Sequence, residues 1–147
     1  MKKLIAIFIT LLSFNDLSAQ KYTDTYIKDA NKIGLEWWNQ VNSAQYEISY
    51  KNLSDVLKSR ATLKDWINQI SMLMDEFGDF KKRTVRDTYF KSELEGFEDG
   101  FYVMIEYDVE YSKTKNHTEY LLLKQNDKFE WQILDFNYTF QNLETIE

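Results

Sequence analysis

The stretch Phe101-Tyr-Val-Met-Ile-Glu-Tyr-Asp-Val-Glu-Tyr111 alternates without a break. Phe101, Val103, Ile105, Tyr107, Val109 and Tyr111 form one set, and Tyr102, Met104, Glu106, Asp108 and Glu110 the other. Successive side chains of a strand point to opposite faces, so this period of two predicts a strand with one face buried and the other mostly wet. Before it, Lys82–Phe90 is rich in Thr, Val, Tyr and Phe and reads as a strand; Leu94–Gly100, with Gly96 and Gly100, reads as the turn between them. After it, Ser112–His117 reads as a polar hairpin loop and Thr118–Gln125 as a third strand. Asn126–Lys128 reads as a turn and Phe129–Phe140 as a fourth strand. Short polar connections imply antiparallel pairing.

Upstream of Gly78 the period becomes helical. Tyr26, Ala30, Ile33, Trp37 and Val41 recur every three or four residues, one face of a helix that Asp24 could cap. Tyr46, Tyr50, Leu53 and Leu57 form a second stripe, with Ser43 as a possible cap and Ser54 as a point of restart. Thr62 with Asp65 resembles a capping box. It opens a helix carrying Trp66, Ile70, Leu73 and Phe77, and Gly78 is placed to end it. Helices followed by a run of strands give an α+β domain, its N-terminal helices packed on a curved, four-stranded antiparallel sheet.

The first residues have a different character. Lys2 and Lys3 precede the apolar run Leu4–Leu12, and Leu17-Ser18-Ala19 ends in a small residue. This is the pattern of a cleavable signal peptide over residues 1–19. The apolar run is shorter than the roughly 20 residues a membrane span requires. The expected product is a single α+β domain over residues 20–147 with no membrane span, periplasmic or secreted. The formal net charge of −6 disfavours nucleic acid as a partner. With no cysteine, apolar burial must hold the domain together.

No pattern of catalytic or metal chemistry emerges, and the sequence implies no cofactor. The lone histidine, His117, falls in the expected hairpin loop, where a general base would lack a pocket and an orienting partner. Glu93, Glu95, Glu98 and Asp99 are acidic, but their spacing is not that of a calcium loop. The unusual feature is 16% aromatic residues. Trp37, Trp66, Tyr107 and Trp131 are expected to meet where the helices cross the sheet. They form either a packed large-residue core or an aromatic-lined pocket for a small apolar ligand. A non-enzymatic binding or structural module leads. An isomerase- or dehydratase-type enzyme, using buried carboxylates and tyrosines, and an inhibitor or immunity-type partner of another protein are the alternatives.

Taken in order, several residues carry a family resemblance. They are Trp37, Tyr46 and Tyr50, Trp66, and Phe77-Gly78 with Arg83 five residues on. Gly96, Asp99, Gly100, Tyr102 and Val103 follow, then Glu119, and finally Trp131, Ile133, Asp135 and Phe136. Over Ala30–Tyr138 the chain resembles the family known as domain of unknown function 4019, whose members are similar to small exported bacterial proteins. Asp135-Phe136 stands where that pattern closes in Gly-Tyr. The resemblance implies a cystatin-like or nuclear-transport-factor-like (NTF2-like) cone. It also singles out Arg83 and Glu119 as matching charged positions. They would form either a cross-strand ion pair that fixes the sheet or, through Arg83, an anion site at the cone mouth.

Overall fold

Among the described residues four helices precede four strands: α1 (Lys2–Asn42), α2 (Tyr46–Lys51), α3 (Asp55–Arg60), α4 (Leu63–Phe77), β1 (Phe80–Lys91), β2 (Tyr102–Tyr111), β3 (Thr114–Gln125) and β4 (Trp131–Asn142). The computed structural model describes residues 2–143, with side chains over 20–143. The leader expected at residues 1–19 lies outside the residues whose side chains are described. Among the described residues no helix is long and apolar enough to cross a membrane.

The strands pair antiparallel in the order β1-β2-β3-β4, an α+β arrangement. The alternation read from Phe101–Tyr111 sets the inner face: Val103, Ile105, Tyr107, Val109 and Tyr111 are all buried. Helix α1 lies across that face through Ala30, Gly34, Trp37, Trp38 and Val41, buried at helical spacing. Gly34 permits the close approach: a Cβ there would stand 2.7 Å from the Tyr107 hydroxyl and 3.1 Å from Ile105 and Leu121.

Helix α4 begins with a reciprocal capping box. Thr62 Oγ1 accepts from the Asp65 N–H, and the Asp65 carboxylate accepts from the Thr62 N–H. It ends at Gly78, whose φ of 80° suits glycine. Ser54 caps α3 by accepting from the Leu57 N–H. Between α2 and α3, Asn52–Ser54 runs along the edge of β4. The Ser54 N–H donates to the Ile133 carbonyl at 2.8 Å, and the Ile133 N–H to the Asn52 carbonyl at 2.9 Å. This covers part of an edge that would otherwise offer unpaired groups.

Three expectations are corrected. Asp24 is not a cap: α1 runs through it, and its carboxylate accepts from Gln20 one turn earlier. Ser43 does not cap α2, which starts after Gln45 with no side-chain cap. The β2–β3 hairpin is tighter than expected, because β3 begins at Thr114 and not at Thr118.

Candidate functional site

Two places in the fold carry chemistry. The first is a polar cluster buried between α1 and the sheet. Arg83 on β1 stands opposite Val109, and Val109 opposite His117 on β3; two pairs further along, Tyr107 stands opposite Glu119. Arg83 and Glu119 therefore lie two strands apart on one face, about 10 Å across the sheet. The long arginine stem spans that gap over β2. Its Nε donates to Glu119 Oε2 at 2.8 Å and Nη2 to Oε1 at 3.1 Å, a bidentate pair with side chains 3% and 0% exposed.

Two more of its N–H groups are also used. Arg83 Nη1 donates to Asn42 Oδ1 at 2.9 Å and Nη2 to the Tyr111 hydroxyl at 3.0 Å. Tyr111 donates to Glu119 Oε1 at 2.9 Å, and Asn42 Nδ2 donates to the Tyr111 oxygen at 3.0 Å. Trp38 and Phe80 bracket the guanidinium, with ring centroids 4.6 and 4.9 Å from Cζ. Burial pushes the Glu119 carboxyl above its ordinary range, while the Arg83 charge and the donors on Arg83 and Tyr111 pull the other way. Burial likewise raises the Tyr107 and Tyr111 hydroxyls.

His117 belongs to this cluster and not to a loop. Asn116 takes a φ of 50°, and the β3–β4 register slips between Lys115 and Thr118. His117 shares the inner face with Glu119 by alternation, and the bulge turns Thr114 inward beside it, so that His117 Nδ1 lies 2.9 Å from Thr114 Oγ1. The ring packs edge-on to Phe77 and stacks on Phe140. Its Nε2, 3.7 Å from Glu119 Oε1, has no hydrogen-bond partner. Burial, with help from the nearby Arg83 charge, lowers the imidazole pKa from 6.5 to about 4. Between those values the unfolded chain binds the extra proton and the native state does not, so stability rises with pH. Falling from pH 7 to 4 should remove about 3 kcal/mol through this group, with Glu119 acting in the opposite sense. Since His117 is the only histidine, its ring proton resonances isolate the effect. They are expected to stay fixed from pH 8 down to about 5.5; a midpoint near 6.5 would contradict the burial.

Tyr107 closes the cluster on the α1 side with a buried hydroxyl that has no partner, under Gly34. Gly34→Ala should raise helix propensity by about 1 kcal/mol yet destabilise by roughly 1–3 kcal/mol, because the new methyl meets that hydroxyl. Tyr107→Phe removes an unpaired polar atom and should be neutral or stabilising. In the double variant much of the Gly34→Ala loss should be recovered; urea unfolding of the three proteins measures this, and a double variant no better than Gly34→Ala would contradict it.

The second place is a groove of about 500 Å³ between α3, α4 and β4. Trp66, Ile70 and Leu73 on α4, Leu53 and Leu57, and Phe136 and Tyr138 on β4 line it; Arg60, Gln69 and Glu76 supply its polar groups. Phe136 and Tyr138 face it because Leu134 is an unpaired bulge residue: Leu123 pairs with Ile133 and Leu122 with Asp135. The extra residue moves the inward set of β4 from Trp131 and Ile133 to Phe136 and Tyr138.

The expected aromatic residues all belong to one core, but their rings gather in different places. Trp37 and Trp66 meet at 6.0 Å, with Trp38 and Phe136 completing the group. Both indoles are anchored on the buried Ser49, Trp37 Nε1 donating to its carbonyl and Trp66 Nε1 to its hydroxyl, each at 3.1 Å. Trp131 instead packs on Tyr26, beside Phe90 and Phe101. Tyr26 and Trp37 are eleven residues apart on α1, about 16 Å along the helix, so Trp131 cannot reach the other tryptophans. Tyr107 lies under Gly34 and beside Arg83. The sequence places Tyr111 on the buried face of its strand but does not bring Tyr111, Asn42 and Trp38 to Arg83; the adjacent tryptophans at 37 and 38 are the available signal.

Among the described residues no three histidine, cysteine or carboxylate side chains converge on a metal position. In the acidic turn, Glu98 is paired with Lys124. Among curated proteins none matches this chain. A family model described as "Protein of unknown function (DUF4019)" matches residues 33–136, a span that contains Trp37, Trp66, Arg83, Tyr107, Glu119 and Trp131. The chain belongs to that family.

Proposed function

We propose that this protein is an exported, non-enzymatic binding module of the bacterial envelope whose ligand site is the apolar groove between α3, α4 and β4. The observation that carries the reading is the contrast between the two places described above. The groove is open, apolar and within the size range of small-molecule sites. The polar cluster has the residues an acid–base enzyme would use, but both oxygens of its one buried carboxylate are held by Arg83 and Tyr111. A general base needs a free lone pair within reach of substrate. The Arg83–Glu119 pair therefore serves as a brace across three strands. Export is supported by the basic, apolar and small-residue pattern of residues 1–19.

Melting in the presence of decanol, an uncharged apolar probe, tests the site. A ligand at ten times its dissociation constant stabilises by about 1.4 kcal/mol, a shift of several degrees for a domain of this size. Leu73→Glu and Leu57→Glu, on facing walls of the groove, should each remove the shift while keeping the native circular dichroism. No shift in the wild type, or one that survives both substitutions, overturns the reading. N-terminal sequencing of the protein from fractionated cells tests export: a start near Gln20 is expected, and an intact Met1 in the cytoplasm would contradict it.

A further inference from the structure

We infer that the groove takes an anionic amphiphile, its head on Arg60 and its apolar body along Trp66, Ile70, Leu73 and Phe136. The inference rests on the groove being the ligand site and adds the ligand's charge and direction. The chain has three arginines. Arg83 is held by Glu119, and Arg86 lies within 3.5 Å of Glu106 and Asp108. Arg60 alone has no acidic partner within ion-pair distance among the described residues, and it stands on the groove wall.

The position of Arg60 gives the groove a polarity. It ends α3 and precedes the first turn of α4, whereas Glu76 lies in the last turn of α4. Leu63 to Glu76 is thirteen residues of helix, about 20 Å. One end of the apolar trough thus carries an unpaired guanidinium and the other a carboxylate, separated by more than a Debye length at physiological salt. An anionic head is drawn to the Arg60 end and repelled from the Glu76 end. The protein's net charge of −6 acts against any anion at long range, but at physiological salt that field is screened more than the direct contact with Arg60. A guanidinium offers paired donors that suit a carboxylate or a phosphate equally, so both heads belong to the inferred class.

The test is calorimetric titration of the protein with decanoate, decyl phosphate, decanol and decylammonium. Each is kept below its micelle concentration at physiological salt, with wild type and Arg60→Gln. Decanoate and decyl phosphate are expected to bind about fivefold more tightly than decanol, as suits a solvent-accessible ion pair. Decylammonium should bind more weakly than decanol. Arg60→Gln should bring both anions to the level of decanol and leave decanol unchanged. The tighter of the two anions distinguishes a free carboxylate from a phosphate-headed lipid. Equal affinity for decanoate and decanol in the wild type, or a preference that survives Arg60→Gln, overturns the inference while the groove stands as an apolar site. If none of the four binds, the ligand-site reading falls with it.

Discussion

Replacing Arg83 with methionine is expected to cost about 3–5 kcal/mol. The loss comes less from the attraction removed than from what is left behind. Glu119 is wholly buried, and without the guanidinium its carboxylate keeps only the hydrogen bond from the Tyr111 hydroxyl. Asn42 Oδ1 loses its donor as well. The double replacement Arg83→Met with Glu119→Met removes both charges and should recover most of the stability, because well-packed apolar residues often equal or exceed a buried ion pair. The single variant carries a pH signature. Burial already raises the Glu119 carboxyl, and without Arg83 nothing of opposite charge opposes that shift. The native state then holds a proton that the unfolded chain releases above about pH 4.3. Stability of the Arg83→Met protein relative to wild type should therefore fall as pH rises and improve as pH is lowered. Urea unfolding at pH 7 and pH 5 measures both effects. A cost under 1 kcal/mol would mean that the pair behaves like a surface ion pair.

Trp37→Ala is expected to cost about 3–5 kcal/mol, and Trp66→Ala clearly less. Trp37 is 0% exposed and surrounded: its ring centroid lies 4.7 Å from Trp38, 5.7 Å from Phe136 and 6.0 Å from Trp66. Its removal opens a closed cavity and strands the Ser49 carbonyl that its indole N–H satisfied. Trp66 packs on Trp37 and Phe136 on one side but lines the groove on the other. The space left by its truncation therefore joins a cleft open to water, so about 2–3 kcal/mol is expected. The two losses should be non-additive, because the rings touch and share Ser49; Trp131→Ala, in the separate cluster around Tyr26, should add to Trp37→Ala within about 0.5 kcal/mol. Denaturant midpoints of these variants provide the check. A Trp66→Ala protein less stable than Trp37→Ala would show that the groove is no opening in the packing.

What the sequence disclosed was local. The alternation through Tyr111, the Thr62–Asp65 capping box and the stop at Gly78 each depend on residues a few positions apart, and each names its own structure. The helical stripe through Ala30 and Trp37 located the face of α1 that meets the sheet. The departures have one physical source, a bulge that changes which way side chains point. Asn116 at positive φ turns Thr114 inward beside His117, and the unpaired Leu134 moves the inward set of β4 from Ile133 to Phe136. Strict alternation places neither. Asn116 was the readable clue to the first, since asparagine tolerates that backbone region. Arg83 and Glu119 lie two strands apart, so no spacing along the chain connects them; the family pattern marked them, and register explains why they meet. Gly34 in a helix of large residues was a further clue, a sign of close approach that points to Tyr107. The groove left no sequence signature, because its walls come from α3, α4 and the far half of β4.

The claim that matters most is that the groove, and not the polar cluster, is where a ligand sits. Side-chain methyl and aromatic chemical shifts, followed while decanoate is titrated into the labelled protein, test it most directly. Perturbations are expected to centre on Leu57, Trp66, Ile70, Leu73 and Tyr138, with Tyr107, Tyr111 and His117 unmoved. Perturbations centred on Tyr111 and His117, with the groove residues silent, would contradict it and return Glu119 to consideration as a catalytic acid or base.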